Sequence, residues 1–163
     1  SSYGDREKKL EILKDPHCGA FAVIRLCTYF LAYFCVAFCI RFSPRVGLCW
    51  TLALVLERGL SGLAVAAFPM AKNTGLAHTF ATAADRESVQ KILIVLSVLL
   101  AAALIALGGG ALVAAALLVL WRYHHVAVKE FGGITGDLAG WFLQKAEFWM
   151  LAALAASQWG GIL

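Results

Sequence analysis

The residues best suited to chemistry lie in the stretch Gly-Gly-Ile-Thr-Gly-Asp at positions 132–137, directly before an apolar run. Its glycines let a backbone approach a ligand closely. Amide groups at the start of a helix favour an anion such as phosphate, and Asp137 is suited to a divalent cation that bridges phosphate oxygens. The same residues also fit a plain loop-to-helix transition capped by Thr135 or Asp137. Composition alone leaves both interpretations open.

The helix expected after this stretch carries a polar face. Asp137, Gly140, Gln144 and Glu147 are spaced three, four and three residues apart, so they share one side of a helix. Glu147 would lie about 15 Å along the axis from Asp137. A carboxylate that deep in a membrane usually faces a bundle interior or a wet cavity. The pattern favours a functional face, and the alternative is a polar contact between helices.

Glu57 and Arg58 stand together near the middle of another apolar run. Two opposite charges at such a depth are not expected to face lipid. Because adjacent helical residues point about 100° apart, each is expected to have its own partner. Arg58 is the better ligand candidate, since guanidinium matches the geometry of phosphate. An interhelical ion pair is the alternative.

A third polar group, Lys14, Asp15 and His17, precedes the first apolar run across Pro16. The carboxylate of Asp15 fits a helix N-cap or a site residue, and the sequence does not choose between them.

The elements that position these residues are membrane helices. Hydrophobic residues make up 61% of the 163 and charged residues only 15%, against about 45–50% and 25% in soluble domains. The apolar residues also form long blocks, which is typical of membrane spans. The composition therefore excludes an ordinary soluble domain, and nucleic acid is not an expected partner.

The apolar blocks predict an all-α, polytopic integral membrane bundle with about five transmembrane helices. A short amphipathic cytoplasmic segment at 1–17 precedes a transmembrane domain at 18–163. The run from Ile92 to Trp121 is too long for one crossing, and Gly108-Gly109-Gly110 divides it. The predicted spans are 19–40, 46–69, 90–107, 111–130 and 137–158.

Five crossings place 1–17, 72–91 and 122–137 on one side of the membrane. That side receives nine basic residues and the other side only Arg41 and Arg45. The nine are Arg6, Lys8, Lys9, Lys14, Lys72, Arg86, Lys91, Arg122 and Lys129. The positive-inside rule makes the first side cytoplasmic, so we expect a multi-pass protein of the cell (inner or plasma) membrane with its active side in the cytoplasm.

Three blocks of the sequence resemble the cobalamin synthase (adenosylcobinamide-GDP ribazoletransferase) family. They are DREKKLEILKDPHCGAFAVI, ERGLSGLAVAAFPMAKNTGL and GGITGDLAGWFLQKAE, and the third is the most specific. Together they span nearly the whole chain in the family's order.

The resemblance implies a magnesium-dependent transferase. The family joins adenosylcobinamide-GDP to α-ribazole or its 5′-phosphate, gives adenosylcobalamin or its 5′-phosphate, and releases GMP. By their match to family positions, Asp137 and Asp15 become candidate catalytic and metal-binding residues. The candidate substrate-binding residues, from the resemblance and the patterns above, are Lys14, Arg58, Lys72, Gly75, Gly133, Thr135, Gly136 and Glu147.

The chain departs from the family pattern in two places. Glu57 stands where the family often has Ser, and the family's acidic motif Asp-Gly-x-x-Asp-x-x-Asp-Gly does not occur in these residues. We therefore expect the main metal-binding motif upstream of Ser1. The expected partners are the two substrates, the lipid bilayer, and either a second copy of the chain or an N-terminal half of the same enzyme.

Two other functions compete with this one. A CDP-alcohol phosphotransferase would share the broad chemistry, but its defining acidic motif is not among these residues. A transporter subunit would explain the intramembrane charges at Glu57, Arg58 and Glu147, yet the halves show no inverted repeat.

Overall fold

The computed structural model describes residues 6–12, 15, 17–71 and 86–163. Within these ranges the chain is built from helices. In chain order they are α1 (Arg6–Ile12), α2 (Ala20–Phe38), α3 (Pro44–Ala67), α4 (Arg86–Ala106), α5 (Gly110–Val126), a π-helical segment (Ala127–Phe131) and α6 (Gly136–Trp159). The predicted all-α membrane bundle is confirmed.

Four of the described helical segments are long and apolar enough to cross a membrane. They are Ala20–Phe38, Pro44–Ala67, Arg86–Ala106 and Gly110–Phe131. The fifth predicted span forms a helix of 24 residues, α6, but is not one of the four. Its sequence includes Asp137, Lys145 and Glu147, which lower its hydropathy. Because α6 packs against α2, α3 and α5, it needs no apolar surface all round.

Local sequence explains where these helices begin and turn. Helix α3 begins at Pro44, because the N–H that proline lacks would have no partner in the first turn of a helix. The Ser43 hydroxyl caps this helix by accepting from the Val46 N–H at 3.2 Å. The predicted glycine turn separates α4 from α5, and Gly108 adopts a φ of +88°. A Cβ at Gly108 would lie 2.9 Å from Arg45 Nη2, so this turn needs glycine.

The core lies between α3, α5 and α6. Along α6 a row of side chains one turn apart is 0–1% exposed: Phe142, Ala146, Met150 and Leu154. Tyr123 of α5 stacks on Phe142 with ring centroids 5.2 Å apart. This regular row fixes the rotation of α6 and decides which side chains point at each neighbour.

Contacts at each end of the bundle join segments that the predicted spans place on the same side. At one end, Gln158 of α6 exchanges hydrogen bonds of 2.9 and 2.7 Å with the backbone of Arg41, and Arg45 donates to the Leu107 carbonyl at 3.0 and 2.7 Å. At the other end, the loop before α6 contacts the segment after α3. Helix α6 therefore runs the full length of the bundle.

The amphipathic segment at 1–17 contains the short helix α1. Lys9 of α1 forms an ion pair with Glu130 of the π-helical segment, which holds α1 against the same end of the bundle as the start of α6. The domain boundary proposed between residues 17 and 18 stays a prediction.

Candidate functional site

A short backbone bridge joins two of the chain's polar segments at one end of the bundle. Met70 pairs with Ile134 in a parallel β-bridge. The Ile134 N–H donates to the Pro69 carbonyl at 2.8 Å, and the Ala71 N–H donates to the Ile134 carbonyl at 3.0 Å. The bridge holds the Gly-Gly-Ile-Thr-Gly-Asp stretch against the residue that directly precedes Lys72.

Gly133 makes this close approach feasible. It has a φ of +154°, and a Cβ there would lie 2.5 Å from Pro69 O, from Met70 C and from Ala71 N. Distances below 3 Å are not tolerated between such atoms, and a side chain would also be strained at this φ. The glycine was expected to let the backbone approach a ligand. In the structure, the missing side chain of Gly133 instead allows its backbone to contact the backbone of residues 69–71.

Thr135 caps α6, which was one of the interpretations left open by the sequence. Its hydroxyl accepts from the Leu138 N–H at 3.3 Å. The backbone N–H groups of Gly136 and Asp137 donate to no described residue. Both residues are exposed. A capped helix start with free amides and an exposed carboxylate suits a phosphate ligand, with or without a cation.

Asp15 lies before α2, close to a neighbour in sequence. One of its carboxylate oxygens accepts from the His17 N–H at 3.0 Å and lies 2.7 Å from the His17 ring Nδ1. The hydrogen bond from the His17 backbone N–H is the main cause of a lowered pKa of Asp15, and the contact with the His17 ring lowers this pKa further. Both side chains are exposed. Asp15 is therefore an ionised, accessible carboxylate at neutral pH, and it does not cap α2, whose N-cap is Gly19.

The parallel packing of α2 and α6 puts Asp15 and Asp137 at the same end of the bundle. Tyr29 donates to the Gln144 carbonyl at 3.3 Å, and four residues later Tyr33 donates to Glu147 at 2.8 Å. The two helices therefore start level with each other. Lys14, Lys72 and Gly75 lie outside the described residues, so their placement as site residues stays a prediction.

Glu147 and Arg58 lie deeper in the bundle than Asp137. Glu147 is ten residues along α6, about 15 Å from Asp137, and its carboxylate accepts from Tyr33. Arg58 lies nine residues before the end of α3 at Ala67. The candidate residues therefore occupy two levels, a polar end with Asp15, Gly133, Thr135, Gly136 and Asp137, and an inner level with Arg58 and Glu147.

The expectation that Glu57 and Arg58 have separate partners is wrong. Arg58 Nε lies 3.5 Å from Glu57 Oε1, and the Glu57 side chain is fully buried while that of Arg58 is 62% exposed. The Arg58 side chain is long enough to bend back across the angle between adjacent residues. Neither oxygen of Glu57 accepts a hydrogen bond within the described part of the chain.

The described side chains offer Mg²⁺ only part of a ligand set. Among the described residues, no three His, Cys, Asp or Glu side chains form a group that could hold a metal. Mg²⁺ is commonly bound by one or two carboxylates together with phosphate oxygens of the substrate. The exposed carboxylates of Asp137 and Asp15 fit that mode, and a complete set of protein ligands does not occur in these ranges.

Several site features were not predicted from the sequence. Tyr29 and Tyr33 each reach α6, and Pro69 and Met70 form the bridge to Ile134. The spacing of Tyr29 and Tyr33 places them on one face of α2, which is a signal that was available. The bridge is a long-range backbone contact and has no local signature.

Apolar spans, a polar end and a glycine-dependent helix start are the features of an integral membrane helical protein. Residues 1–155 match the family model described as cobalamin-5-phosphate synthase, and the chain belongs to that family.

Individual relatives agree. The chain is 40% identical over 158 residues to an adenosylcobinamide-GDP ribazoletransferase of Lachnoclostridium phytofermentans, covering 95% of this chain and 59% of that protein. It is 30% identical to the protein of the same name in Pseudomonas syringae pathovar tomato, covering 94% and 62%. The chain thus spans about three-fifths of the curated relatives it matches. No solved structure matches it.

Proposed function

We propose that this chain forms the helical core of an adenosylcobinamide-GDP ribazoletransferase. Such an enzyme joins adenosylcobinamide-GDP to α-ribazole or its 5′-phosphate and releases GMP. The observation that carries the proposal is the bridge between Met70 and Ile134, because it brings the second and third blocks of family resemblance together at one end of the bundle. The relatives' names do not favour a CDP-alcohol phosphotransferase or a transporter subunit.

The reaction is a substitution at phosphorus. A hydroxyl oxygen of the ribazole attacks the pyrophosphate phosphorus that bears the cobinamide, the new O–P bond forms, and the bond from that phosphorus to the GMP oxygen breaks. The hydroxyl proton passes to a base, and GMP leaves with the bonding electrons. Catalysis needs stabilisation of the phosphate charge and a positioned proton acceptor.

Asp137 is the proposed proton acceptor. Its carboxylate is exposed in the first turn of α6, next to the N–H groups of Gly136 and Asp137 itself, which donate to none of the described residues. Those amides are placed to bind a phosphate oxygen. Gly133 and Thr135 act by holding this helix start, Gly133 through the close backbone contact and Thr135 through its cap.

Cations at the same end would balance the pyrophosphate charge. Lys14 and Lys72 are proposed to contribute there because each directly adjoins a described residue, Asp15 and Ala71 respectively, at this end. Gly75 is proposed to lie in the same substrate-binding segment. Mg²⁺ would be held by Asp137 and Asp15 together with substrate oxygens, and it would stabilise negative charge on the reacting phosphate.

The inner level is proposed to contact the substrate farther from the reacting phosphorus. The Arg58 side chain is largely exposed, and its guanidinium suits a second phosphate group. Glu147 is half-buried and fixed by Tyr33. The polar end is proposed to face the cytoplasm of the cell, since the predicted spans assign nine of the eleven basic residues counted in the loops to that side.

The experiment is GMP release by the full-length protein in lipid vesicles. Adenosylcobinamide-GDP, α-ribazole 5′-phosphate and Mg²⁺ are supplied together, and each is omitted in turn. We expect GMP only when all three are present, with the corrinoid product formed in equal amount. GMP release without the ribazole would indicate hydrolysis, and no GMP from folded protein would contradict the proposed reaction.

A further inference from the structure

A groove between α5 and α6 is lined by none of the candidate site residues. Its volume is about 560 Å³. Helix α5 contributes Leu118 and Arg122, and α6 contributes Trp141, Lys145 and Trp149. The last three are spaced four residues apart and so form one stripe along α6. The groove therefore combines two cations with two large aromatic rings.

The two cations have no protein partner within the described part of the chain. Neither Arg122 nor Lys145 has a hydrogen bond or ion pair there, whereas Arg45 donates to the Leu107 carbonyl and Arg58 contacts Glu57. Lys145 lies nine residues into α6, about 13 Å from its start. A cation at such a depth is expected to pair with an anion or to reach toward the interface.

The rest of the lining is apolar and opens to the surface of the bundle. Leu118 is 66% exposed and Trp149 is 54% exposed, and apart from Arg122 and Lys145 the groove has only Ala, Leu, Val and Trp side chains. The segment Gly110–Phe131, which lines one side of the groove, is among those long and apolar enough to cross a membrane. A ligand that fills the groove must present an anionic group to one part and hydrocarbon to the other.

We propose that the groove binds one anionic phospholipid. Its phosphate is held between Arg122 and Lys145, and an acyl chain lies along Leu118 and Trp149. Guanidinium and ammonium groups suit a phosphodiester, and basic pockets between membrane helices recognise anionic headgroups. Tryptophan is favoured where the apolar and polar layers of a membrane meet.

The test is lipid binding to the purified full-length protein by native mass spectrometry. The protein in detergent is titrated with phosphatidylglycerol and, separately, with phosphatidylcholine of the same acyl chains. The wild type is compared with the double variant Arg122→Gln and Lys145→Gln. A control double variant, Arg25→Gln and Lys129→Gln, removes the same charge from exposed residues outside the groove. Thermal unfolding is recorded for each protein.

We expect the groove variant to lose about thirtyfold in its preference for phosphatidylglycerol. The control variant should keep the preference, and so should the charge-conserving variant Arg122→Lys with Lys145→Arg. An unchanged preference in the folded groove variant would overturn the proposal. An equal loss of this preference in the control variant would also overturn the proposal, because the protein would then attract anionic lipid through its total charge and not through the groove. Displacement of phosphatidylglycerol by inorganic phosphate alone would assign the site to a soluble ligand.

Discussion

At the residue scale, most residues of one short stretch fix its position in the bundle, and one is left available to a ligand. Between Gly132 and Asp137, Gly133 and Ile134 hold the stretch to the segment after α3, and Thr135 caps α6. Asp137 is exposed, and no hydrogen bond of its side chain to the described residues is seen. An accessible carboxylate beside free helix amides is a group available for a ligand. Each residue of the stretch therefore has a distinct expected phenotype.

Gly133→Ala should destabilise the protein by more than about 2 kcal/mol, because the new Cβ meets backbone atoms and the φ is strained. Gly140→Ala is the matched control, since a Cβ there meets nothing within 4 Å. Alanine inside a helix should raise stability by about 0.5–1 kcal/mol. Thermal unfolding in detergent measures both. Equal stability of the two variants would contradict the close backbone contact at Gly133.

Thr135→Ala should lower stability by about 1 kcal/mol through loss of the N-cap, and Thr135→Ser should restore most of it. GMP release by the same variants is expected to follow stability, because the hydroxyl already accepts from Leu138. A serine variant with native stability but strongly reduced activity would instead assign the threonine a direct role in binding substrate.

At the element scale, α6 connects the polar end to the interior. It packs against α2, α3 and α5 and carries Asp137 at its start and Glu147 near its middle. Its charged residues explain why its hydropathy is below that of the four apolar spans. The periodic apolar row at Phe142, Ala146, Met150 and Leu154 supplies its packing. A helix that is polar on one side and packed on the other is suited to line a site.

The contact between Tyr33 and Glu147 is expected to couple α2 to α6. Tyr33→Phe, Glu147→Gln and the double variant form a thermodynamic cycle, and the coupling energy should be about 1 kcal/mol, as for hydrogen bonds between membrane helices. Unfolding by denaturant in mixed micelles gives the change in the free energy of unfolding for each of the three variants. Additive effects of the two substitutions would mean that this hydrogen bond does not stabilise the bundle.

Element types and spans followed from local sequence because apolar run length and glycine position are local signals. The turn at Gly108 and the helix beginning at Gly136 lie within a residue or two of their predicted places. The π-helical pitch at Ala127–Phe131 was not predicted, since its residues carry no distinct periodicity. The Met70–Ile134 bridge and the Glu57–Arg58 contact depend on how separate segments and long side chains meet. Local patterns do not encode such contacts.

At the scale of the whole molecule, the loops divide between two ends. Arg41, Arg45, Leu107 and Gln158 gather at one end, and the start of α6, the segment after α3 and α1 gather at the other. This grouping agrees with the alternation of sides expected for the predicted spans. The concentration of basic residues at the second end predicts its side of the membrane.

The native cysteines provide a test of that orientation. Cys18 lies before α2 and Cys39 at its C-terminal end, and both are exposed. Variants of the full-length protein that keep one of the two, with every other cysteine replaced, are treated with a membrane-impermeant maleimide on intact cells. Cys39 should be labelled from outside, and Cys18 only after lysis. The reverse pattern would place the polar end outside the cytoplasm.

Asp137 is proposed to act in a reaction carried out at the polar end of the bundle. The most direct measurement is GMP release by full-length Asp137→Asn protein in vesicles. Glu87→Gln serves as the control, because Glu87 is also an exposed carboxylate in the first turn of its helix, α4. We expect Asp137→Asn to lose at least a hundredfold in activity, about the contribution of a general base, with unchanged thermal unfolding. The control should keep near-native activity. Near-native GMP release by folded Asp137→Asn would contradict the proposed role of Asp137.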